Sequence, residues 1–331
     1  RRNRLHILLW MRPAGSWKKG RRIPENAGSP ATPKERVLSM DIHVVQPGES
    51  LYSIARAYGT TAARLAQDNE LTDPAALAVG QTIVVLYPRQ VVTVTPGDTL
   101  EGIADRYGVS VNQLLRNNPQ LGGLSALTPG QVLVIDYEGE KEGTLSVNGY
   151  AYPYIDRAVL RKTLPYLTYL TLFTYGFTPE GELIGMDDEE AIAIAKEYGV
   201  TPLMLISTLT EEGTFSNELA DIVLNDPAIQ ERLINEILAN LRTKGYGGLD
   251  VDFEYVYAED AGAYAAFLGR LTERLNPLGY PVIAALAPKI AADQPGTLYE
   301  GHDFAAIGAA VNQVLLMTYE WGYTYSQISY M

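Results

Sequence analysis

Hydrophobic residues follow two spacings along this chain, and from residue 144 onward stretches of the two kinds alternate. Short apolar runs predict strands, whereas apolar positions repeated every three or four residues predict amphipathic helices. The predicted strands are Leu145–Tyr150, Tyr169–Thr174, Leu203–Ser207, Gly248–Glu254, Val282–Ala287 and Gln313–Tyr319, and helices between them include Asp187–Tyr198, Pro227–Lys244 and Gly262–Leu275. Because the strands are apolar on both faces, we expect a parallel sheet covered by helices, as an α/β barrel or an open doubly wound sheet.

A repeated sequence precedes this region. Residues 47–55 match residues 96–104 at a constant shift, and the match extends to Asn69 and Asn118. Such self-similarity indicates two copies of one small structural unit.

Each copy has the pattern of a strand, two helices and a strand. In the first copy a β-rich start leads into Pro-Gly, Ser50 is a predicted helix N-cap, and Gly59 is the predicted stop of that helix. A second helix follows around residues 61–67, and the apolar run Thr82–Leu86 predicts the closing strand. We therefore expect two βααβ modules.

These modules resemble the LysM family, over residues 42–87 and 91–137. The Pro-Gly-acid-Ser/Thr-Leu start, the Asn in the middle and the late Gly-Gln carry the resemblance. It implies a shallow groove for N-acetylglucosamine glycans in each module. By position, the groove residues are Gly48, Ser50, Leu51, Asn69 and Leu77 to Gly80 in the first module and Gly97, Thr99, Leu100 and Asn118 in the second. The two Asn residues have an alternative as turn formers.

Charge is distributed unevenly. The formal net charge of −13 argues against nucleic acid or an anionic membrane as the main partner, and the absence of cysteine excludes thiol chemistry and disulfides. Residues 1–39 nevertheless carry about +8, and their apolar run is too short to span a bilayer and lacks a cleavage site for a signal peptide. We expect residues 1–39 to be a disordered basic tail, with the natural protein starting at Met40.

Three acidic residues share one face of a predicted strand. Asp250, Asp252 and Glu254 alternate with apolar residues that pack under helices. Acids aligned on an interior strand are unfavourable without a shared proton or hydrogen bonds, so a functional site is favoured over an exposed edge strand. A carboxylate pair can hold a glutamic acid protonated as a proton donor. Mg²⁺ binding is the rival interpretation, but no phosphate-binding motif accompanies these acids.

The acidic segment resembles the Asp-Gly-x-Asp-x-Asp-x-Glu signature of glycoside hydrolase family 18, the chitinase-like TIM barrels. The match comprises Gly248, Asp250, Asp252 and Glu254, with Gly247 at the position of the first aspartate. The segment from Gln313 to Glu320 resembles a second family element, Gln-x-x-x-Met-x-Tyr-Asp, with Glu320 in place of the aspartate. With LysM modules ahead of it, this arrangement resembles spore-cortex and germination glycosidases of endospore formers.

The resemblance implies substrate-assisted, retaining hydrolysis. Glu254 would act as the acid and then the base, Asp252 would hold the 2-acetamido group, Asp250 would set the protonation of Asp252, and Tyr319 would hydrogen-bond the acetamido group. Further substrate contacts are expected from Tyr150, Tyr152, Tyr175, Met317, Glu320 and Trp321.

The expected fold class is α/β: an incomplete (β/α)8 TIM barrel with about six strands, preceded by two small βααβ LysM modules. Two strand–helix units are missing after Gln313–Tyr319, so we expect C-terminal truncation, which could leave the chain inactive. The expected divisions are residues 1–39 (tail), 40–88 and 89–137 (LysM), 138–143 (linker) and 144–331 (family 18 domain).

The expected function is a peptidoglycan hydrolase that cleaves β-1,4 bonds at N-acetylglucosamine in spore cortex, without metal or cofactor. We expect a monomer, associated with the spore or cell wall, that binds neither nucleic acid nor membranes. A catalytically inactive or chitin-directed glycan-binding protein is the alternative. Nothing in the sequence separates peptidoglycan from chitin as substrate.

Overall fold

The computed structural model describes residues 40–123, 126–139 and 143–318, and the backbone of residues 6–10. The strands are β1 His6–Trp10, β2 Met40–Val44, β3 Thr82–Leu86, β4 Pro88–Thr93, β5 Val132–Tyr137, β6 Ser146–Ala151, β7 Tyr169–Phe177, β8 Leu183–Ile184, β9 Thr201–Ser207, β10 Leu249–Asp252, β11 Val282–Leu286 and β12 Gln313–Leu316. The helices are α1 Leu51–Tyr58, α2 Ala62–Asp68, α3 Leu100–Tyr107, α4 Val111–Asn117, α5 Arg157–Thr163, α6 Glu189–Glu197, α7 Asn217–Asn225, α8 Pro227–Lys244, α9 Ala261–Leu275 and α10 Phe304–Ala310. None of the helices in these described ranges is long and apolar enough to cross a bilayer.

The chain forms two compact units. One holds the repeats together with residues 156–167, and the other holds residues 148–155 and the chain from residue 168 onward. Helix α5 thus groups with the repeats by its contacts, while the division predicted from the sequence places it in the following domain. Within this unit, the Arg116 guanidinium donates to the Pro165 carbonyl oxygen at 2.8 Å, and Lys162 pairs with Glu70.

Both repeats have the predicted βααβ fold. β2 pairs with β3 and β4 with β5, each pair antiparallel. In the first helix of each repeat, the Ser50 or Thr99 hydroxyl accepts a backbone N–H three residues later. The helix then ends at a glycine with positive φ, 68° at Gly59 and 65° at Gly108, which is the conformation that glycine adopts without strain.

Asn69 and Asn118 both have structural roles, and the complete burial of Asn118 corrects its assignment to a glycan groove, whereas Asn69 is only partly buried. The Asn118 amide donates to the carbonyl oxygens of Leu114 and Val134, and its oxygen accepts from the Val134 N–H, all at 2.8 Å. Asn69 makes the equivalent three bonds in the first repeat. These bonds use both amide protons and the oxygen of each side chain to join a helix end to the closing strand.

Asn118→Ala is expected to unfold the second repeat locally. The substitution leaves buried backbone groups without partners, at about 1–3 kcal/mol each, in a module with a small core. Hydrogen exchange of the whole chain should show faster exchange in residues 100–121 and unchanged exchange in residues 51–68. The exposed variant Asp105→Asn is the control, and protection equal to that control would contradict the structural role of Asn118.

The second unit is built on a curled sheet of six parallel strands, in the order β6, β7, β9, β10, β11 and β12. This half-barrel settles the choice between a barrel and an open doubly wound sheet. β8 adds to β7 in the antiparallel direction, and β1 lies beside β6. The strand β1 falls within the predicted tail, residues 1–39. The other residues of that tail lie outside the described residues.

Helix α8 shows how closely sequence signals define an element in this unit. Asp226 accepts from the Ala228 and Ile229 N–H groups at its start, Pro227 occupies the first turn, and Gly245 with φ 72° ends it. Its buried positions, at three- and four-residue spacing, are Gln230, Leu233, Ile234, Ile237, Leu238 and Leu241. The predicted bounds Pro227–Lys244 are thus confirmed.

Candidate active site

The acidic residues lie at the carboxyl end of a central strand. β10 pairs with β9 and β11, so that Asp250 lies between Leu205 and Ile283. The predicted alternation is confirmed, because the Phe253 ring stacks on Tyr264 of α9 at 5.6 Å while Asp252 faces the opposite side. The sheet thus separates an apolar side under the helices from a side that carries the carboxylates.

Asp252 and Glu254 line a cavity of about 480 Å³ at this end of the sheet. Its other lining residues are Tyr150, Ala151, Tyr152, Phe173, Ala285, Ala287, Pro288, Leu298, Tyr299, Leu315 and Met317. Volume and lining match a small-molecule site, in which apolar and aromatic walls surround a few polar groups. Aromatic faces beside carboxylates are suited to a sugar ring, which presents both C–H surfaces and hydroxyl groups.

Asp250 lies beneath the cavity and is fully buried. The Tyr150 hydroxyl donates to its Oδ2, and Oδ1 has no hydrogen-bond partner among the described residues. Burial raises the pKa of Asp250 to about 7, although the hydrogen bond from Tyr150 acts in the opposite direction. Near neutral pH this carboxyl group is therefore divided between its protonated and ionised forms.

Asp252 is 5% exposed, and burial raises its pKa well above the ordinary aspartate value. The negative charges of Glu254 and Asp250 raise it further. Neighbouring acids cannot all ionise at low cost, so Asp250 and Asp252 keep their protons to higher pH than ordinary aspartates do. The site can accordingly both donate a proton and stabilise a nearby cation.

Tyr150→Phe is expected to raise the pKa of Asp250 above about 7, since it removes the hydrogen bond that stabilises the carboxylate. A ¹³C NMR titration of aspartate-labelled chain measures this, with the Asp250 signal assigned through its loss in Asp250→Asn. Tyr152→Phe is the matched control because Tyr152 lines the same cavity. An unchanged Asp250 titration in Tyr150→Phe would contradict the expected contribution of this hydrogen bond.

The structure brings together only some of the predicted substrate contacts. Tyr150, Tyr152 and Met317 line the cavity beside Asp252 and Glu254. Tyr319, Glu320 and Trp321 lie outside the described residues.

Tyr175 is a correction to those predicted contacts. Its side chain is 1% exposed, and its hydroxyl donates to the buried Asp188, which also accepts from Tyr246 and Lys244. A ring enclosed in this way offers no face to a sugar. Tyr175 is therefore part of a buried polar network, and its prediction as a sugar-stacking residue is wrong.

Phe173 and Tyr299 line the cavity without having been predicted to do so. Phe173 lies in β7, and the strand pattern alone gives no reason to choose it over the other aromatic residues of that strand as a cavity-lining residue. Tyr299 follows β11 in a segment without helical or strand periodicity. A signal for Phe173 was its place near the carboxyl end of a barrel strand, where such folds form their sites.

The predicted groove residues of the LysM modules fall into two groups. Gly48, Ser50, Gly97 and Thr99 lie exposed on the loops that follow the first strand of each repeat. The Leu51 and Leu100 side chains are buried in the cores, at 3% and 0% exposure, so these residues have only backbone groups to offer a glycan.

The described residues contain no cluster of three or more His, Asp or Glu side chains arranged to hold a metal ion.

Comparison with known proteins places this geometry in a family. The model of the LysM domain matches residues 43–86 and 92–136, and the model of glycosyl hydrolases family 18 matches residues 150–328. A putative sporulation-specific glycosylase of Bacillus subtilis is 34% identical over 289 residues, which cover 87% of this chain and 67% of the relative. A cortical fragment-lytic enzyme of the same organism is 37% identical over 291 residues, covering 86% and 67%.

Solved structures agree with this placement. The crystal structure of the spore cortex-lytic enzyme of Bacillus cereus has a TM-score of 0.64 and 33% identity, and the alignment covers 86% of this chain and 66% of that one. The chain spans about two thirds of the length of these relatives. It belongs to glycosyl hydrolases family 18, with two LysM domains preceding the family's catalytic domain.

Proposed function

We propose that this chain hydrolyses β-1,4 glycosidic bonds at N-acetylglucosamine in spore-cortex peptidoglycan, with retention of configuration. The observation that carries the proposal is the placement of Asp252 and Glu254 in one aromatic-lined cavity of about 480 Å³, above the buried Asp250. The names of the cortical fragment-lytic and spore cortex-lytic relatives support the choice of cortex as substrate.

In the first step, Glu254 donates its proton to the glycosidic oxygen. The carbonyl oxygen of the substrate's 2-acetamido group attacks the anomeric carbon, the bond to the leaving oxygen breaks, and a cyclic oxazolinium ion forms. Asp252 lies beside Glu254 in the cavity and stabilises this cation while orienting the acetamido group. No carboxylate of the protein forms a bond to carbon.

In the second step, the Glu254 carboxylate takes a proton from water, and the water oxygen attacks the anomeric carbon from the face that the leaving group occupied. The acetamido group is regenerated and Glu254 is again protonated. Asp250 adjusts the charge of Asp252 through their coupling, and Tyr150 holds Asp250. Tyr319 is proposed to hydrogen-bond the acetamido group.

The two LysM modules are proposed to hold the chain on the glycan through their exposed loops at Gly48, Ser50, Gly97 and Thr99. Two weak sites in one chain raise the effective concentration of the catalytic domain on a polymer. Because the cavity and both modules are in one chain, the proposal requires only a monomer. The proposed location is the spore or the cell wall.

Mass spectrometry of fragments released from cortex peptidoglycan and from chitin oligomers tests the proposal, with Glu254→Gln as the control of strongly reduced activity. We expect peptidoglycan fragments with N-acetylglucosamine at the reducing end. Cleavage of chitin alone would make the chain a chitin-directed enzyme. Retained binding to both polymers without cleavage would make it a glycan-binding protein.

A further inference from the structure

His302 is a buried histidine that the proposed reaction does not use. It precedes α10, is 2% exposed, and lies outside the cavity lining. Its Nε2 is 2.8 Å from the carbonyl oxygen of Phe253, so Nε2 carries the proton and donates. Its ring contacts Tyr264 edge-on at 5.5 Å.

The acceptor of this bond, the Phe253 carbonyl oxygen, lies just beyond the end of β10. β10 ends at Asp252, so the Phe253 carbonyl lies one residue beyond the strand. This carbonyl belongs to the peptide group that joins Phe253 to Glu254. A hydrogen bond to this carbonyl holds the plane of the peptide group, and the Glu254 side chain leaves the backbone from that plane. The hydrogen bonds of the strand do not hold the peptide group here, because β10 ends at Asp252.

The chain around His302 is shaped for this contact. A Cβ atom at Gly301 would lie 2.3 Å from the Val256 carbonyl oxygen, so only glycine allows the segment to approach residues 253–256 this closely. The Lys289 ammonium donates to the His302 carbonyl oxygen, and the His302 N–H donates to the Tyr299 carbonyl oxygen at 3.1 Å. The segment that carries His302 is therefore held from two sides.

The same segment borders the cavity. Leu298 and Tyr299 are lining residues, whereas His302 contacts the backbone between Asp252 and Glu254. The substrate wall and the support of the proton donor are thus parts of one short stretch of chain.

We propose that His302 is a positioning residue for the proton donor: by donating to the Phe253 carbonyl it holds Glu254 in the orientation for proton transfer. The proposal rests on the role of Glu254 proposed above. His302 touches neither substrate nor reacting atoms, so it acts entirely through this peptide group. A side chain that only fills the core would have the same burial, and the test must separate the two roles.

Two substitutions make that separation. His302→Leu has a similar volume and removes the donor, whereas His302→Gln places an amide N–H near the position of Nε2. In the full chain acting on cortex peptidoglycan fragments, we expect His302→Leu to lower kcat by about 10- to 100-fold with KM unchanged, as for a misplacement of a catalytic group by about 1 Å. His302→Gln should restore most of kcat. A loss that both variants share, or that parallels a lower melting temperature, would mean that His302 only supports the fold.

A second measurement reads the hydrogen bond without activity. Phe253–Glu254 is the one Phe-Glu pair in the sequence, so labelling Phe with ¹³C at the carbonyl and Glu with ¹⁵N gives a single HNCO signal. Loss of a hydrogen bond moves a carbonyl carbon upfield, and we expect this shift in His302→Leu but not in His302→Gln. An unmoved signal in His302→Leu would overturn the bond, and a moved signal with native kcat would overturn its positioning role. A native chain that cleaves no glycan would refute the proposed function and the catalytic part of this inference together, whereas the carbonyl signal would still decide whether the bond exists.

Discussion

Glu254→Gln should lower kcat about 10³-fold while leaving KM nearly unchanged. The amide has the size of the acid but cannot donate a proton to the glycosidic oxygen, and general acid catalysis contributes about 10²- to 10⁴-fold. Since the substitution leaves the cavity walls in place, ground-state binding of the glycan persists. Steady-state kinetics on soluble cortex fragments measures both constants.

The leaving group provides a sharper version of this experiment. An N-acetylglucosaminide of a strongly acidic phenol needs no proton on its leaving oxygen, so its oxazolinium-forming step should be much less sensitive to Glu254→Gln than that of a natural glycan. Glu259→Gln is the matched control. Glu259 lies five positions after Glu254 in the sequence, and its side chain is exposed. Equal losses on both substrates would remove Glu254 from the role of proton donor.

Asp250→Asn should make the folded chain more stable at neutral pH, although it removes a residue of the proposed site. The folded-state pKa of Asp250 is about 7, against about 3.9 for an unperturbed aspartate. Because the folded-state pKa is the higher one, the folded protein binds more protons than the unfolded chain between about pH 4 and 7. The contribution of Asp250 to stability is therefore complete below pH 4 and is lost as the pH rises through 7.

Each pKa unit corresponds to about 1.4 kcal/mol, so ionisation of Asp250 costs the folded state on the order of 4 kcal/mol at pH 7 and above. Asparagine cannot ionise, and its amide oxygen can still accept from the Tyr150 hydroxyl. We expect urea unfolding, followed by circular dichroism, to show a higher midpoint for Asp250→Asn at pH 7 and a smaller difference at pH 4.5. The kcat of this variant should fall, because loss of the Asp250 charge lowers the pKa of Asp252.

Asp188→Asn is the contrasting control. Asp188 is 1% exposed, as buried as Asp250, but its carboxylate accepts from Lys244, Tyr175 and Tyr246. Removing this charge leaves the Lys244 ammonium without its carboxylate partner, which costs about 3 kcal/mol or more. The two substitutions should thus change the urea midpoint at pH 7 in opposite directions, and a shared direction would contradict the charge environment assigned to Asp250.

Local patterns were sufficient wherever a feature depends on neighbouring residues. The Ser50 and Thr99 caps, the glycine stops and the bounds of α8 follow from propensities within one or two turns. The common face of Asp250 and Asp252 follows from the two-residue period of a strand. The fold keeps Asp250 and Asp252 on this face because only one orientation of the strand buries the apolar residues of the other face.

Contacts between distant parts of the chain decided the rest. Tyr175 and Tyr150 both lie in barrel strands and both carry a hydroxyl group, yet one donates to Asp188 in the core and the other to Asp250 below the cavity. The sequence likewise contains no sign that Asn118 reaches Val134, or that His302 reaches Phe253, 49 positions away.

The sequence by itself determined the repeated modules, the parallel sheet and the row of acids on β10, because each depends on spacing patterns among residues that are close together in the sequence. Only the tertiary structure decided the protonation of those acids and which side chains surround them. The physical reason is that the pKa of a carboxyl group depends on burial and on nearby charges, and both are set when separate strands and loops come together.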